Sequence, residues 1–504
     1  MLRAMLRLGV WITLAVVGLL VATCAACRVL LPERLAVNAP ITHALFGWGI
    51  EPPEESVFGT RIRVPEGFSI GLYAAVPRAR FLRPTPAGDL LVSVPREGRV
   101  ALLERDRDGD GLPDGQRTLL EGLDRPHGLD LHEGWLYVGE SGAVARVRFD
   151  VTQGAVSGDL ERVVTGLPTG GNHWTRTVRI GPDGMLYVTV GSSCNVCFEE
   201  DPRRAAMLRF RPDGSDETLY ARGLRNAVGF DWRPGTEALY ATDNGRDLLG
   251  DDFPPCELNR IVEGGDYGWP VAHGDRVPDP DLGAGHESRV EASLPPAFPF
   301  PPHNAPLGIR FLRSAALPED YRGAALVALH GSWNRTAKDG YKVVSLHFGR
   351  DGSISSRDFV WGFLDDEDVI GRPVDVAEGA DGSIFVSDDY AGAIYRIVHG
   401  AQAASAASAE RAAVDPLATL SSAEREAAAE RGAELFEQHD CASCHEPERA
   451  APGVVPVRLE GLAARYDAPG LADFLAAPTP PMPVLEMTED ARRDLAVHLL
   501  TRFP

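Results

Sequence analysis

The sequence is short of positive charge. It carries 50 lysines and arginines against 72 aspartates and glutamates, and the formal net charge is −22. A chain this acidic repels phosphate backbones, so no nucleic acid partner is expected. Cysteine is scarce too, and the C-x-x-C pair Cys194 and Cys197 lacks the second ligand pair of a zinc site. In an oxidising compartment this pair is expected to form a short-range disulfide, and Cys256 is expected to be a buried thiol.

One long apolar run lies at the N-terminus. Two arginines precede residues 8–26, which carry no charge, and this order is typical of an export segment long enough to span a bilayer. We predict a signal or membrane-anchor segment over residues 1–30. An uncleaved anchor is favoured over cleavage, and lipidation at Cys24 or Cys27 is the third alternative. All three place the body outside the cytoplasm, in the periplasm, and the favoured anchor would hold it at the inner membrane.

The body of the chain repeats a turn that contains glycine, followed by a strand of alternating polarity. The copies begin at Ala87, Glu133, Pro182, Pro234, Gly323 and Ala380. The early copies are about 50 residues apart, which is the period of four-stranded propeller blades. Six copies predict a mainly β fold, a six-bladed β-propeller over residues 61–398, with an irregular β-sandwich as the alternative. Propeller loops converge at one end of a channel, where we expect the functional side chains.

The segment after the propeller changes composition. Residues 399–420 are rich in alanine and serine and are predicted to be a linker. Residues 421–504 contain two helical patterns, one before a C-x-x-C-H motif and one at the C-terminus. We predict that this part is a small all-α cytochrome c domain.

The C-x-x-C-H motif is typical of covalently attached haem c, and a disulfide beside a histidine is the alternative. Cys441 and Cys444 would form thioethers with the haem vinyl groups, and His445 would be the proximal iron ligand. Met482 stands between two prolines and is the expected distal ligand. Met487, which starts the last helical pattern, is the alternative ligand.

A separate acidic motif reads D-x-D-x-D-G-x-x-D. Its carboxylates belong to Asp106, Asp108, Asp110 and Asp114. Alternate carboxylates on a tight loop with glycine suit a structural Ca²⁺, although the flanking helices and final glutamate of an EF-hand are missing. An acidic hairpin turn is the alternative.

Four segments of the body resemble the quinoprotein sugar dehydrogenases, which use pyrroloquinoline quinone (PQQ). They read GNHWTRTVRIGPDGMLYVTVGSSCNVC, ARGLRNAVGFDW, DNGRDLLGDDFPP and GGDYGWP. The resemblance extends over about residues 64–397. The segments are similar to those of the soluble aldose and L-sorbosone dehydrogenase-like propellers. It implies a six-bladed propeller that holds PQQ and Ca²⁺. The fused cytochrome also resembles that of some members of the family.

The resemblance also implies roles for individual residues. His173 would be the catalytic base, and Arg225 and Asn226 would contact the quinone oxygens. Arg335 and Arg372 would bind the carboxylates of PQQ. Trp333 would stack on the flat cofactor or on a sugar ring, with a place in the core as the alternative, and His127 would either face the cofactor or have a structural role. The backbone carbonyls of Gly245 and Arg246 would hold Ca²⁺. Cys256 stands where the family pattern has an acidic residue, which argues against a metal role there.

The activity implied is oxidation of an aldose at its C1 hydroxyl, or of a sugar-derived aldehyde. Electrons would pass singly to the fused haem and then to an external acceptor such as a cytochrome or the respiratory chain. Two other classes remain open: a Ca²⁺-dependent hydrolase of the lactonase type on the same fold, and a non-enzymatic electron-transfer or binding protein. Arg225, Asn226 and Arg372 favour the dehydrogenase because they suit an anionic quinone.

Overall fold

The computed structural model describes residues 35–40 and 51–400, and part of the chain from 417 to 503. Within that last range the residues left out are 418, 419, 447, 448, 450–458, 460, 461, 463–465, 467, 477, 479–481, 484 and 486. The chain divides into two compact units, Met1–Ala407 and Ser408–Pro504. The predicted export segment, residues 1–30, lies outside the described residues, as does most of the predicted linker. No helix among the described residues is long and apolar enough to cross a membrane.

Six antiparallel sheets form the first unit, and they confirm the six-bladed propeller. Blades 1 and 2 contain β2 (Leu82–Pro84), β3 (Leu90–Val94), β4 (Arg99–Leu103) and β5 (Gln116–Leu120), then β6 (Leu129–His132), β7 (Trp135–Glu140), β8 (Ala143–Asp150) and β9 (Ala155–Thr165). Blade 3 contains β10 (Val178–Ile180), β11 (Leu186–Val190), β12 (Ala206–Phe210), β13 (Thr218–Arg222) and the short parallel strand β17 (Gly265–Asp266).

Blades 4 to 6 complete the ring. Blades 4 and 5 contain β14 (Ala227–Trp232), β15 (Leu239–Asp243), β16 (Cys256–Ile261) and β20 (Phe298–Phe300), then β21 (Pro306–Phe311), β22 (Ala325–Leu329), β23 (Lys342–Phe348) and β24 (Ile354–Val360). Blade 6 contains β27 (Pro373–Glu378), β28 (Ile384–Asp388), β29 (Ala393–His399) and the N-terminal strand β1 (Phe68–Ala75). Two-stranded ribbons lie outside the blades: β18 (Ala272–His273) with β19 (Val277–Pro278), and β25 (Leu364–Asp365) with β26 (Asp368–Val369).

The second strand of each blade explains why the repeat was visible in the sequence. Strands β3, β11, β22 and β28 are buried along their whole length because neighbouring blades cover both faces. Such strands need apolar side chains on both faces, and they read LLVSV, LYVTV, ALVAL and IFVSD. The outer strand β5 faces solvent and reads QRTLL.

The innermost strands of the blades are β2, β6, β10, β14, β21 and β27. Every blade begins with its innermost strand, so the segments that precede these strands all lie at one end of the channel. The candidate residues His173, Arg225 and Arg372 occupy three of these segments.

The described helices are mostly in the second unit. They are α1 (Glu287–Ala292) in the propeller, then α2 (Ser422–Gln438), α3 (Ala442–His445), α4 (Ala468–Ala476) and α5 (Glu489–Arg502), and there are 3-10 turns at Glu55–Val57, Pro95–Glu97 and Glu319–Tyr321. A capping box between Ser421 and Glu424 starts α2. A Cβ on Gly432 would lie 2.1 Å from the carbonyl oxygen of Asp494, so α2 and α5 cross closely.

A buried carboxylate ties three blades together around the channel. Asp231 on β14 is fully buried and lies 3.2 Å from Arg179 on β10, 3.0 Å from Arg313 and 3.9 Å from Arg310 on β21. Burial alone would raise its pKa, but the arginines outweigh burial and lower the pKa to about 2. The carboxylate is therefore ionised, and three guanidinium groups depend on its charge.

Asp231→Asn is expected to destabilise the propeller by about 3–5 kcal/mol, because it leaves buried arginines without their counter-charge. Since the folded-state pKa lies below the unfolded value, the native protein should also lose stability as pH falls from about 4 to about 2. Urea denaturation of both proteins measures the difference. The matched control is Asp216→Asn, which removes an exposed partner of Arg211. Equal losses in the two variants would contradict the structural role of Asp231.

Candidate functional site

His173 is held by the segment that follows β11. Its Nδ1 atom lies 3.0 Å from the carbonyl oxygen of Ser192 and 2.9 Å from the Ser192 hydroxyl oxygen. A carbonyl oxygen only accepts hydrogen bonds, so we assign the ring proton to Nδ1 from these contacts. The Nε2 atom is then left with a free lone pair, as a proton acceptor requires.

Burial and one neighbouring cation keep this imidazole neutral. Desolvation, followed by the positive charge of Arg225, lowers the pKa of His173 to about 3. The carbonyl of Ser192 acts in the opposite direction and does not outweigh them. His173 is therefore neutral near pH 7.

The same short segment brings His173 to Arg225 and Asn226. The backbone amide of Ser192 donates to the carbonyl oxygen of Arg225 at 2.8 Å. A Cβ on Gly191 would lie 2.5 Å from the Cβ of His173 and 2.8 Å from Oδ1 of Asn226. Both side chains thus pack against the bare backbone of Gly191, and the three candidate residues lie together.

Arg225 is buried and its guanidinium is fully engaged. Nε donates to the carbonyl oxygen of Asn195 at 2.9 Å, and Nη2 donates to Asn195 Oδ1 at 2.8 Å and to Asp247 Oδ2 at 3.0 Å. Nη1 donates to the carbonyl oxygen of Gly245 at 2.8 Å. Asp247 Oδ1 in turn lies 3.6 Å from His303 Nδ1. The guanidinium is therefore fixed in one orientation before any ligand arrives.

Asn195 was not identified from the sequence, although it contributes two acceptors to Arg225. It lies between Cys194 and Cys197, which form the expected disulfide. Its side chain also bridges to Asp247, since Oδ1 accepts from the Asp247 amide and Nδ2 donates to the Asp247 carbonyl. The C-x-x-C spacing was the available signal: a short disulfide loop restricts the residues within it.

Asp243 is a second residue that the sequence did not reveal. Its carboxyl oxygens accept from the backbone amides of Arg225 at 2.9 Å and Asn226 at 2.6 Å. Burial, followed by the charge of the neighbouring Glu257, raises the pKa of Asp243 to about 8. This side chain fixes the backbone from which Arg225 and Asn226 project.

The predicted calcium ligands lie beside Arg225. One lone pair of the Gly245 carbonyl accepts from Arg225, and a carbonyl oxygen has a second. The guanidinium of Arg246 turns away to Asp279 and Asp281, so this residue would offer only its backbone. Cys256 is a free thiol and is buried, as expected, and burial raises its pKa to about 11.

Two orphaned oxygens indicate that this end of the channel suits a polar ligand. Oδ1 of Asn226 and Oδ1 of Asn244 are buried and have no hydrogen-bond partner among the described residues. Buried polar atoms without partners are rare, and a ligand or ion at the site is one way to satisfy them. The residues present therefore fit a calcium-bound polar cofactor.

Arg372 and Arg335 contact backbone carbonyls. Arg372 donates to the carbonyls of His330 at 3.1 Å and Gly331 at 3.3 Å. Arg335 donates to the backbone carbonyl oxygens of Asp251 at 2.6 Å and Pro302 at 3.3 Å. Neither guanidinium forms an ion pair among the described residues, so both keep their charge for an anion.

Two aromatic candidates differ in exposure. Trp333 is 40% exposed, which excludes the alternative that it is a core tryptophan. His127 is buried, lies 3.3 Å from the hydroxyl of Thr177 and packs edge-on against Phe81 and Trp174. Burial, followed by Arg80, lowers the pKa of His127 well below its usual value. Its Nε2 atom is buried and has no hydrogen-bond partner among the described residues, so its place at the cofactor stays a prediction.

The acidic loop of blade 1 lies between β4 and β5, away from the segments that precede the innermost strands. Carboxylate oxygens of Asp106, Asp108 and Asp114 lie within 4.8 Å of one another. Asp110 lies outside this group, and its carboxylate accepts from the amide of Leu112 at 2.8 Å. The structural Ca²⁺ site stays a prediction.

The C-x-x-C-H motif lies on and next to α3 in the second unit. Cys441 is half-buried and Cys444 is exposed, and no disulfide joins them. Cys441, Met482 and Met487 all pack, partly buried, against the apolar cluster formed by the helices. The predicted distal ligand Met482 and its alternative Met487 therefore share one small core with the C-x-x-C-H motif.

Gly191→Ala tests whether the close packing of His173 and Asn226 matters. The added methyl group would displace both side chains, so we expect the PQQ-dependent sugar oxidation that the sequence resemblance implies to fall at least tenfold, measured by dye reduction at saturating sugar. Gly71→Ala is the matched control, because a Cβ there has nothing within 4 Å. Full activity in Gly191→Ala at an unchanged melting temperature would contradict the arrangement.

Comparisons with known proteins agree with this geometry. The Glucose / Sorbosone dehydrogenase family model matches residues 136–396. An uncharacterized protein of Borreliella burgdorferi is 31% identical over 297 residues, which cover 56% of this chain and 78% of that protein.

A pyrroloquinoline quinone-dependent pyranose dehydrogenase of Coprinopsis cinerea is 27% identical over 312 residues, which cover 50% of this chain and 41% of that enzyme. The match therefore spans less than half of the fungal enzyme. The holo PQQ domain of the pyranose dehydrogenase from that organism superposes with a TM-score of 0.57 at 22% identity, and 67% of this chain and 96% of the domain are covered. That likeness shows the same fold. The chain belongs to the Glucose / Sorbosone dehydrogenase family.

Proposed function

We propose that the propeller is a PQQ- and Ca²⁺-dependent dehydrogenase that oxidises an aldose at its C1 hydroxyl, or a sugar-derived aldehyde. The observation that carries this proposal is that Ser192 joins a neutral His173 to Arg225 at the end of the channel. The relative named as a PQQ-dependent pyranose dehydrogenase supports the same chemistry.

The residues around Arg225 would hold the cofactors. Gly245 and Arg246 would offer backbone carbonyls to Ca²⁺, Arg225 and Asn226 would face the quinone oxygens, and the guanidinium groups of Arg335 and Arg372 would bind carboxylates. When bound, PQQ accepts a hydride from the sugar carbon, and Ca²⁺ polarises its carbonyl group.

His173 would take the other product of the oxidation, the hydroxyl proton. Its Nε2 lone pair is free because the Ser192 carbonyl holds the ring proton on Nδ1. Arg225 contributes a fixed positive charge next to the site where negative charge develops, and its network with Asn195 and Asp247 keeps that charge from reorienting.

A hydrolase of the lactonase type would need carboxylates free to bind the ion. In this chain the carboxylate of Asp247 is engaged by Arg225, and that of Asp251 accepts from the amide of Thr336. The ligands that remain near Gly245 are mainly neutral oxygens, which supports the dehydrogenase over the hydrolase.

We further propose that the second unit carries haem c. Cys441 and Cys444 would attach it, His445 and Met482 would ligate the iron, and the apolar cluster shared by Cys441 and Met482 would exclude water. A covalently bound haem accepts single electrons, which a quinone site must release one at a time to such an acceptor. The final acceptor would be an external cytochrome or the respiratory chain.

The proposed cellular location follows from the N-terminal sequence. A basic start and an uncharged apolar run over residues 8–26 support export, and anchoring at the periplasmic side of the inner membrane. Haem c attachment and the Cys194–Cys197 disulfide suit that compartment.

His173→Gln tests the dehydrogenase. We expect sugar oxidation by the PQQ- and Ca²⁺-loaded variant to fall about 10²–10⁴-fold, since the general base is lost, while PQQ binding measured by absorption is retained. In the native enzyme the pKa of His173 is lowered to about 3, so kcat/KM should show no acid limb from this residue between pH 5 and 8.

His132→Gln, at the end of β6, is the control histidine variant and should leave turnover unchanged. Undiminished oxidation in His173→Gln would overturn its role as the base. If no aldose, aldehyde or alcohol reduced PQQ in the native protein, the dehydrogenase proposal itself would fail.

Met482→Leu tests the haem ligands. Loss of the thioether should lower the haem reduction potential, because a thioether opposite histidine raises it, while the covalent haem content measured as pyridine haemochrome stays the same. Met487→Leu is the matched control and should leave the potential unchanged. The reverse pattern would identify Met487 as the ligand, and a chain without covalent haem would refute the cytochrome.

A further inference from the structure

We propose that the sugar substrate carries a carboxylate, which Arg125 binds at the rim of the active site. The inference rests on the proposed dehydrogenase function and names its substrate class, an acidic sugar such as a hexuronic acid. The juxtaposition that carries it is an unpaired guanidinium stacked on the tryptophan next to His173.

Trp174 connects Arg125 to the site. It directly follows His173 in the segment before β10, and Arg125 precedes β6 in the neighbouring blade. The guanidinium carbon of Arg125 lies 4.3 Å from the centre of the Trp174 ring. This stacking holds the planar guanidinium over the ring and leaves its N–H edges free to donate.

Arg125 differs from the other arginines at this end of the channel. Arg80, which also approaches Trp174 at 5.7 Å, is neutralised by Asp389, and Arg225 is neutralised by Asp247. Arg372 donates to carbonyl oxygens. Arg125 is exposed, and its guanidinium has no acceptor among the described residues. In a chain of net charge −22, an arginine that only stabilised the fold would be expected to pair with one of the many carboxylates.

The backbone of Arg125 is strained. Its φ angle is +50°, a left-handed conformation that is uncommon for a residue other than glycine, asparagine or aspartate. The residues around it are firmly held: the Asp124 amide donates to Glu140 at 2.9 Å, and the His127 amide donates to Gly139 at 2.8 Å. Strain of this kind is retained mainly where it positions a functional side chain.

A carboxylate is the ligand that this arrangement selects. A guanidinium pairs with a carboxylate through two parallel N–H···O bonds, and charge-assisted bonds of this kind are about twice as strong as neutral ones. The carboxylates of PQQ already have proposed partners in Arg335 and Arg372. Those two arginines belong to blades 5 and 6, whereas Arg125 belongs to blade 2, so we assign to Arg125 an anion of the substrate.

The experiment compares glucuronate with glucose, which differ in the C6 carboxylate, using the PQQ- and Ca²⁺-loaded full chain. We expect kcat/KM for glucuronate to exceed that for glucose at least tenfold at low ionic strength. Arg125→Gln should abolish this preference and leave kcat/KM for glucose within twofold of the native value. Arg125→Lys keeps the charge without the planar fork and should retain part of the preference.

Arg148→Gln is the matched control. Arg148 is also exposed and stacks on a tryptophan, with its guanidinium carbon 3.8 Å from the centre of the Trp135 ring, but it lies on β8 away from the channel end. This variant should keep the full preference for glucuronate. An equal loss of preference in Arg148→Gln would overturn the inference, because it would reflect general charge.

Binding provides a readout that does not depend on turnover. Methyl glucuronoside is blocked at C1 and should bind the loaded protein more tightly than methyl glucoside by calorimetry, with the difference lost in Arg125→Gln. PQQ affinity should be equal in native protein and Arg125→Gln; a tenfold weaker PQQ affinity in the variant would assign Arg125 to the cofactor and overturn the inference.

The two proposals fail in different ways. Oxidation of glucose with no preference for glucuronate would overturn the substrate inference alone. Absence of PQQ-dependent oxidation of both sugars would overturn the proposed function, and equal binding of the two methyl glycosides would overturn the inference even then.

Discussion

The pairing of the first strand of the propeller with the last is the constraint on which the rest of the molecule depends. Strand β1 runs antiparallel to β29, with register from Phe68 opposite His399 to Ala75 opposite Ala393. Blade 6 is thereby built from both ends of the domain, and this pairing closes the ring of blades. Because the ring is closed, all six segments that precede the innermost strands are fixed around one channel end.

Burial at that end acts in opposite directions on the two kinds of titratable group. It lowers the pKa of His173 to about 3 and raises the pKa of Asp243 to about 8, since desolvation disfavours the charged form of each. The charge that remains buried is that of Arg225, and Asp247 balances it at 3.0 Å. The site thus combines a neutral base with a buried cation whose charge Asp247 compensates. Without this compensation the buried charge would destabilise the fold.

The sequence predicted those features of the fold and of the site that depend on a single contiguous segment. The blades were predicted because each second strand is buried on both faces, and this forces an apolar run every few tens of residues, as in LYVTV of β11. His173, Arg225 and Asn226 were predicted through a resemblance carried by contiguous segments. The structure places these three residues together.

What the sequence did not reveal depends on contacts between distant segments. Asn195 binds Arg225 across 30 positions of sequence, and Asp243 binds the amides of Arg225 and Asn226 from the neighbouring strand. Neither asparagine nor aspartate follows a spacing in the sequence that would predict such a role. Spacing alone is also not enough in the acidic loop, where Asp110 follows the motif but lies outside the group formed by Asp106, Asp108 and Asp114.

The same dependence on contacts explains why Gly191 matters although it has no side chain. Any Cβ there would overlap both the base and Asn226, so the two cannot be brought to the same backbone unless this position is glycine. The absence of a Cβ atom at Gly191 therefore positions the site as much as the hydrogen bonds of Ser192 and Asn195 do. A closed ring supplies the rigidity that makes such a narrow fit useful, because each partner of Gly191 begins a different blade and cannot shift without moving a whole sheet.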